Sequence, residues 1–379
     1  MKRIARIQIQ RFDVLLDEPY TVAYGTFDRE FGYLVTVTDT DGNVGVGLGT
    51  PCDEAYDSPQ LALDGFSGMT FEEPPMCDSP IAFYNERLRD IKSPAVRCGF
   101  DIAMWDLAGK QQGTPTYNLF ARGAYRVKPN SVTVCIKPTL QATAEEARQI
   151  VQKYPHLSLM KIKLSGEGDV ERCQAIRDVV PSGLGYILDA NQAYTDPDRG
   201  FLVMKQIRDV LGEIVVIEQP TPRDDLDALA RITKLVNFSK VYADESCVGE
   251  ADVQTIIDRS AAHGVNIKLQ KAGGITPALA MLAVVEKHNL TAMLGCMMEL
   301  PMAVAAAAHI SVVHDSVVVT DLDSDLALFS VGKTALGFSD GARTIQDVPG
   351  LGCSVEEPLA AEAEKRGWLA RESVLDIAF

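Results

Sequence analysis

Six charged side chains in this sequence each close a short apolar run. Lys161 and Lys163 end Leu-Ser-Leu-Met-Lys-Ile-Lys, and Asp189 ends Tyr-Ile-Leu-Asp. Glu218 ends Val-Val-Ile-Glu, Asp244 ends Val-Tyr-Ala-Asp, and Lys268 ends Val-Asn-Ile-Lys. One such charge alone is usually a helix cap or a loop charge. Six at the same point of successive repeats are not explained that way, and without partners their desolvation would be very costly. Three carboxylates from successive strands make a hard oxygen site suited to Mg²⁺, with positions left for water or substrate. With no His or Cys among them, zinc is disfavoured.

The lysines complete the chemistry. Lys161 and Lys163 are two residues apart on one strand, so they point to the same face. A substrate carboxylate on the metal would place its α-carbon between Lys163 and Lys268. The metal and a nearby ammonium would stabilise the doubly charged enediolate, making a weakly acidic α-proton accessible. One lysine removes the proton from one face and the other returns it to the opposite face. Neighbouring cations lower the lysine pKa values, so that the base can be neutral. Lys161 supplies charge to Lys163 and to the substrate carboxylate.

Such a constellation needs strands that all end at one mouth. After about Val127, β-rich runs recur at Ser131–Ile136, Ser158–Lys163, Gly185–Asp189, Ile214–Glu218, Lys240–Asp244, Gly264–Lys268, Thr291–Gly295 and Val317–Asp321. Amphipathic stretches lie between them, including Ala144–Lys153, Val170–Val179, Leu226–Leu235, Asp252–Ala262 and Pro277–His288. The repeat of roughly 24–29 residues is the size of one βα unit. Eight such units predict an α/β fold, a (β/α)8 barrel, with functional groups at the C-terminal ends of the strands. A doubly wound open sheet is disfavoured, because no Gly-x-Gly-x-x-Gly follows the first strand. The carboxylates fall on strands three, four and five, and the lysines on strands two and six.

Before the barrel, Met1 to about Leu48 alternates like an antiparallel meander, with a turn at Asp41-Gly42-Asn43. Leu61–Phe71 is indeterminate; Ser79–Arg89 and Ala95–Gln111 read as helices. Strands followed by helices indicate an α+β domain. The expected organisation is therefore 1–126 as an N-terminal α+β domain, 127–325 as the catalytic barrel, and 326–379 as a segment packing back on the first.

Composition excludes some partners. The 379 residues are 46% hydrophobic, and the formal net charge is −16. So acidic a chain repels nucleic acid and anionic membranes. The N-terminus lacks the apolar core of a signal peptide, and no apolar run reaches membrane-spanning length. The eight cysteines form no Cys-x-x-Cys, which favours thiols in a reducing, cytoplasmic setting.

Lys-Ile-Lys (161–163), Asp-Ala-Asn (189–191), Glu-Gln-Pro (218–220), Ala-Asp-Glu-Ser (243–246) and Ile-Lys-Leu (267–269) resemble the muconate-lactonizing subgroup of the enolase superfamily. Lys271-Ala-Gly-Gly-Ile and Gly295-Cys-Met-Met-Glu299 strengthen the resemblance. It implies Mg²⁺, the two-lysine mechanism, a modified barrel, and a capping domain completed by the C-terminal tail. Members are often homo-oligomers, so self-association is what the resemblance would add to a small-molecule partner.

The eighth run continues as Thr-Asp321-Leu-Asp323-Ser-Asp. This Asp-x-Asp is similar to that of dipeptide epimerases, where the pair receives the substrate's N-terminal ammonium. Two carboxylates two residues apart face one mouth and can hold one ammonium; an acidic turn or a loop calcium site is the alternative. Where L-Ala-D/L-Glu members carry a basic residue in the first capping loop, this chain reads Thr-Val-Ala-Tyr24-Gly-Thr-Phe27. The resemblance then makes Tyr24, Phe27, Met297 and Met298 an apolar, adaptable pocket for a neutral or hydrophobic side chain. Cys52, Asp53 and Glu54 could instead favour a cationic one. Asn191, Glu245 and Glu299 are expected to support the lysines or metal ligands from behind, and Trp105 and Trp368 to pack.

The expected activity is epimerisation at the α-carbon of the C-terminal residue of an L-Ala-L-Xaa-type dipeptide. N-acylamino acid racemase, o-succinylbenzoate synthase and muconate cycloisomerase share the metal and lysines, but have no use for Asp321 and Asp323. A catalytically silent peptide-binding barrel is the reading from another class. It leaves the lysine pair without a purpose.

Overall fold

A computed structural model describes residues 2–51, 57–71, 79–120, 123–328, 333–354 and 369–379. The N-terminal sheet joins β1 (Ile4–Val22), β2 (Gly25–Asp39) and β3 (Val44–Gly49), all antiparallel. Their alternation buries Ile7, Ile9, Tyr33, Val35 and Val37 on one face. Against that face pack α1 (Pro59–Ser67), α2 (Pro80–Phe83) with a π turn at Tyr84–Leu88, and α3 (Pro94–Gln112). The segment that was indeterminate in sequence is helical as far as Ser67, in a helix started by Ser58, whose side chain accepts from Leu61 N–H. The Ser79–Arg89 helix exists, but its second half widens into the π turn. Strand β3 reads Val-Gly-Val-Gly-Leu-Gly, and a Cβ on Gly47 would collide with the Gly99 carbonyl oxygen of α3. The missing side chain lets helix and strand backbones touch.

The barrel follows. Its strands are β4 (Val132–Val134), β5 (Leu159–Lys163), β6 (Gly185–Asp189), β7 (Ile214–Glu218), β8 (Lys240–Ala243), β9 (Gly264–Lys268), β10 (Thr291–Gly295) and β11 (Val317–Asp321). They pair in parallel in sequence order. Thr320 N–H donates to the Pro129 carbonyl at 2.8 Å and Ser131 N–H to the Thr320 carbonyl at 2.9 Å, which closes β11 onto the chain entering β4. After α4 (Tyr117–Phe120), the outer helices are α5 (Leu140–Lys153), α6 (Asp169–Arg177), α7 (Pro197–Leu211), α8 (Leu226–Leu235), α9 (Glu250–Asp258), the short α10 (Leu269–Ala272), α11 (Ile275–Lys287) and α12 (Pro301–Ser311). The sequence rhythm, period two alternating with period 3.6, is this alternation of strand and helix. The first run is the one that shrinks most, from six residues to Val132–Val134.

Beyond α13 (Ser324–Leu328), β12 (Lys333–Thr334) pairs with β15 (Cys353–Ser354), and β13 (Leu336–Ser339) with β14 (Ala342–Ile345). The last strand, β16 (Leu369–Ala378), returns to pair antiparallel with β1. Helix α3 also grips the barrel. Asp101, fully buried, accepts from Thr276 N–H and Thr276 Oγ at 2.7 Å each, at the start of α11. Trp105 Nε1–H donates to the same hydroxyl at 3.0 Å and its ring packs on Phe120; Trp368 lies outside the described residues. Among the described residues no helix is long and apolar enough to cross a membrane.

Helix α12 is buried along its whole length, including His309. The imidazole Nδ1 accepts Tyr117 N–H at 3.1 Å. Burial pushes it down to about 3. An unfolded histidine near 6.5 therefore binds a proton before the folded one does, and stability is lost as pH falls from about 6.5 toward 3. The loss reaches about 1.4 kcal/mol per pH unit. His309→Asn keeps an acceptor for Tyr117 but does not titrate. Its thermal midpoint should fall less than the parent's between pH 7 and pH 5.

Candidate active site

Strand parity builds the site. Residues i and i+2 on a barrel strand both point inward. Leu159, Ile187, Val216, Tyr242, Met293 and Val319 form an apolar inner layer. Two residues further along stand Lys161, Asp189, Glu218, Asp244, Gly295 and Asp321. The charges thus sit directly on a floor that excludes water from below. Asp189 and Glu218 have no solvent exposure, and Lys161 is 1% exposed.

Such burial is tolerated only where opposite charges meet. Lys161 Nζ lies 2.9 Å from Asp189 Oδ2, 2.9 Å from Glu218 Oε2 and 2.6 Å from Asp321 Oδ2. Lys163 Nζ lies 2.7 Å from Asp189 Oδ2 and donates to Asn191 Oδ1 at 3.2 Å. Lys268 Nζ stands 2.8 Å from Asp244 Oδ2 and 4.0 Å from Glu218 Oε1. All six strand-end charges read from the sequence converge here.

Their proton affinities follow from that packing. For Asp189, burial alone would raise the carboxyl, but Lys161 and then Lys163 hold it well below the carboxylate range. Asp244 is held down in the same sense by Lys268 and Lys271. Burial, then Asp189, raises Glu218. Burial works against the charge of Lys161 and of Lys268, yet the carboxylates win and raise both, the opposite of the lowering expected from neighbouring cations.

The sequence reading missed three residues that hold this layer together. Lys271, buried, donates to Asp244 Oδ1 and to the Asp244 carbonyl at 2.5 Å each, and to the Cys247 carbonyl at 3.1 Å. Asn266 Nδ2–H donates to Glu218 Oε1 at 2.7 Å. Its inward parity with Lys268 was the available signal. Gln219 sits at φ 35°, a conformation costly outside glycine. Its side-chain oxygen accepts Asp244 N–H at 2.9 Å and Ser246 N–H at 3.1 Å. Its amide donates to the Thr221 carbonyl at 3.0 Å and to Ser246 Oγ at 2.8 Å. One side chain thereby locks the turn carrying Asp244 to the end of β7.

Among the expected supports, Asn191 touches both Lys163 and Asp189, its own N–H donating to Asp189 Oδ1 at 3.0 Å. Glu245 Oε1 accepts from Asn191 Nδ2 at 3.2 Å, and its other oxygen is buried without a hydrogen bond. Burial, then Asp244, raises its carboxyl to about 7. Glu299 differs from expectation: its hydrogen bonds come from Gln270 at 2.8 Å and Met297 N–H at 3.0 Å, and Lys268 acts on it only through charge. It braces the turn after β10 instead.

A cavity of about 500 Å³ opens above the charges, lined among others by Lys161, Lys163, Lys268, Asp244, Glu245, Asp321 and Asp323. Tyr24, Met297 and Met298 line it too. Phe27 does not; it stacks on Tyr20 at 5.1 Å and meets Tyr24 edge-on at 6.2 Å, so it backs the wall. Cys52, Asp53 and Glu54 lie outside the described residues.

The two aspartates after β11 are not equivalent. Asp321 is saturated, with Oδ1 accepting from Ser131 Oγ at 2.6 Å and Oδ2 from Lys161 at 2.6 Å. Asp323 Oδ2 accepts Thr133 N–H at 2.8 Å, the Thr133 side chain also hydrogen-bonds this carboxylate, and Oδ1 lies 3.8 Å from the Cys296 thiol. Burial, then Asp321, raises the Asp323 carboxyl to about 6. The expected pair of acceptors is unequally engaged, Asp321 by Ser131 and Lys161 and Asp323 by Thr133.

For a divalent cation, the donor chemistry of Asp189, Glu218 and Asp244 fits: three carboxylates, all oxygen, no softer ligand. Glu218 Oε2 is buried and makes no hydrogen bond, Lys161 standing near it outside hydrogen-bond geometry. Among the described residues no three acidic, imidazole or thiol groups already stand together at metal-holding positions. Lysine nitrogens bridge them instead, Lys161 between Asp189 and Glu218, Lys268 between Glu218 and Asp244. Positive charge is what this layer gathers.

A family model, described as "Enolase C-terminal domain-like", matches residues 142–378. The chain belongs to the enolase superfamily. Within it the chain falls in the muconate-lactonizing subgroup, as a dipeptide-epimerase-like isomerase. It is 31% identical over 369 residues to an L-Lys-D/L-Arg epimerase of Methylococcus capsulatus, covering 92% of this chain and 98% of that one. It is 29% identical over 374 residues to a hydrophobic dipeptide epimerase of Enterococcus faecalis, covering 93% and 99%. The solved dipeptide epimerase of Enterococcus faecalis V583, complexed with Mg and L-Leu-L-Tyr, superposes with a TM-score of 0.82 at 27% identity, covering 93% and 99%.

Gln219→Ala would strand Asp244 N–H and Ser246 N–H in a buried turn. A destabilisation of roughly 2–3 kcal/mol is expected, read as a lower urea midpoint with an unchanged slope.

Proposed function

We propose that this enzyme epimerises a dipeptide at the α-carbon of its C-terminal residue, with Lys163 and Lys268 as the two acid/base groups. The observation that carries the reading is where the lysines stand. Strands β5 and β9 are four apart in an eight-stranded barrel, so Lys163 and Lys268 reach one cavity from opposite walls. Moving a proton from one face of a carbon to the other needs that arrangement. Binding alone does not.

Asp189, Glu218 and Asp244 would hold Mg²⁺, as the relatives solved with Mg suggest. When bound there, the ion supplies positive charge against the substrate carboxylate and lowers the cost of removing the adjacent proton. Lys161, pinned by three carboxylates, stays an ammonium and adds charge at the same end without exchanging a proton. In each direction one of Lys163 and Lys268 must be neutral and the other protonated. Asp323 receives the N-terminal ammonium, and Asp321 serves by holding Lys161. This division refines the symmetrical Asp-x-Asp reading, and it favours a free dipeptide over an N-acylated amino acid.

The test is α-proton exchange of dipeptides in D₂O with Mg²⁺, followed by NMR. Exchange with inversion, abolished by EDTA, is the expected outcome. Exchange of N-acetyl or N-succinyl amino acids but no dipeptide would refute the epimerase reading in favour of a racemase. Lys163→Ala and Lys268→Ala should each lower turnover by about 10²–10⁴. Asp323→Asn should raise KM for dipeptides roughly tenfold or more and erase the discrimination against N-acetylated ones. Asp321→Asn, by freeing Lys161, should lower kcat more than it raises KM.

A further inference from the structure

The cavity is larger than the charged chemistry needs, and its outer part joins apolar side chains to Lys137, Glu146, Gln149 and Lys153, of which Gln149 donates to Glu145 at 3.3 Å. On the side of β4 and α5, its wall is Val132, Cys135, Ile150 and Tyr154, faced by Leu16 of β1 and Leu326 of α13. Leu16, Ile150, Tyr154 and Leu326 pack on the main core yet stay only partly buried, so their remaining apolar surface faces this space. The polar groups at its edge are engaged. Lys137 pairs with Glu146 at 3.0 Å, and Lys153 stands over the Tyr154 ring at 5.2 Å. They leave an apolar compartment with a polar rim.

From this we infer that the compartment between β4, α5 and α13 binds the side chain of the dipeptide's N-terminal residue and selects a bulky hydrophobic one. The inference rests on the epimerase reading above and deepens it. Its geometry comes from Asp323. That carboxylate is tied to β4 through Thr133 N–H, and the Cys135 thiol, raised by burial, feels its charge. An ammonium on Asp323 therefore places the N-terminal α-carbon beside the β4 wall. The next α-carbon is about 3.8 Å further along the chain, toward Lys163 and Lys268. The two side chains of the dipeptide then part. The C-terminal one meets Tyr24, Met297 and Met298, and the N-terminal one meets Ile150 and Tyr154. A methyl group would leave most of the second compartment to water; a leucine or phenylalanine side chain would displace it. The L-Ala-L-Xaa substrate expected from sequence is accordingly too small at its first position.

The experiment uses the full chain with Mg²⁺ and one fixed C-terminal residue. The N-terminal residue is varied through Ala, Leu, Phe, Glu and Lys, and kcat/KM is read from α-deuterium incorporation. Leu and Phe should exceed Ala by about tenfold or more. Ile150→Glu should remove that preference, the ratio of kcat/KM for the Leu over the Ala dipeptide falling about tenfold, while Ile150→Val retains it. Tyr154→Ala gives a second variant should Ile150→Glu fold poorly. Equal rates for all N-terminal residues, or a preference for Glu or Lys, would overturn the inference and leave the epimerase reading standing. So would a loss in Ile150→Glu and Tyr154→Ala that is the same for Ala and Leu dipeptides. Exchange of N-acylated amino acids alone would overturn both.

Discussion

Burying several charges on an apolar floor is the constraint on which the rest of this structure depends. A carboxylate without solvent or partner is so costly that it protonates or unfolds its surroundings. Here every strand-end lysine meets at least one carboxylate within 3 Å, and the turns that follow are shaped around those contacts. Gln219 accepts a left-handed backbone so that its amide can clamp the Asp244 turn. Lys271 spends its donors on Asp244 and the Cys247 carbonyl. Asn266 donates a hydrogen bond to Glu218. Neutral and charged supports alike offset the mutual repulsion of the buried acids.

The capping domain answers a second need, a lid of side chains over a mouth that the barrel leaves open. The hairpin of β1 and β2 brings Tyr20 and Tyr24 to the cavity, while Phe27 stiffens it from behind. The hairpin is held through its own sheet, which β16 extends and α3 covers. Helix α3 is fixed in turn to the barrel by Asp101 at the head of α11. The cavity walls are thereby carried on rigid elements, the barrel supplying the lysines and carboxylates and both domains supplying the walls.

Much of this was legible in the sequence because an apolar run ending in a charge is an unusual pattern. Gly185–Asp189, Ile214–Glu218, Gly264–Lys268, Thr291–Gly295 and Val317–Asp321 form strands with the bounds their composition suggested. Other features were not legible, for physical reasons. Leu61–Phe71 has little pattern of its own, and Pro59–Ser67 became helical through the Ser58 cap and burial against α3. Lys271 and Gln219 lie just beyond strand ends, where period two no longer says which way a side chain points. Glu299 looked like a neighbour of the lysines by position in its repeat, but the turn after β10 directs it to Gln270. Phe27 shares a loop with Tyr24, yet ring stacking drew it away from the cavity.

The Asp-x-Asp after β11 shows how closure adds meaning that a motif lacks. Written as sequence, Asp321 and Asp323 are the same residue on the same face. In the barrel, β11 is the last strand and must meet the chain that enters the first. Ser131, just before β4, then stands against Asp321, and Lys161 reaches it from β5. Asp323 lies past the end of the ladder, where Thr133 N–H takes one oxygen and the side chain lines the cavity. A carboxylate with both oxygens committed to buried donors gains little from a further cation. One that lines the cavity with a raised proton affinity gains much. The asymmetry between two identical residues is therefore fixed by register, not by residue type.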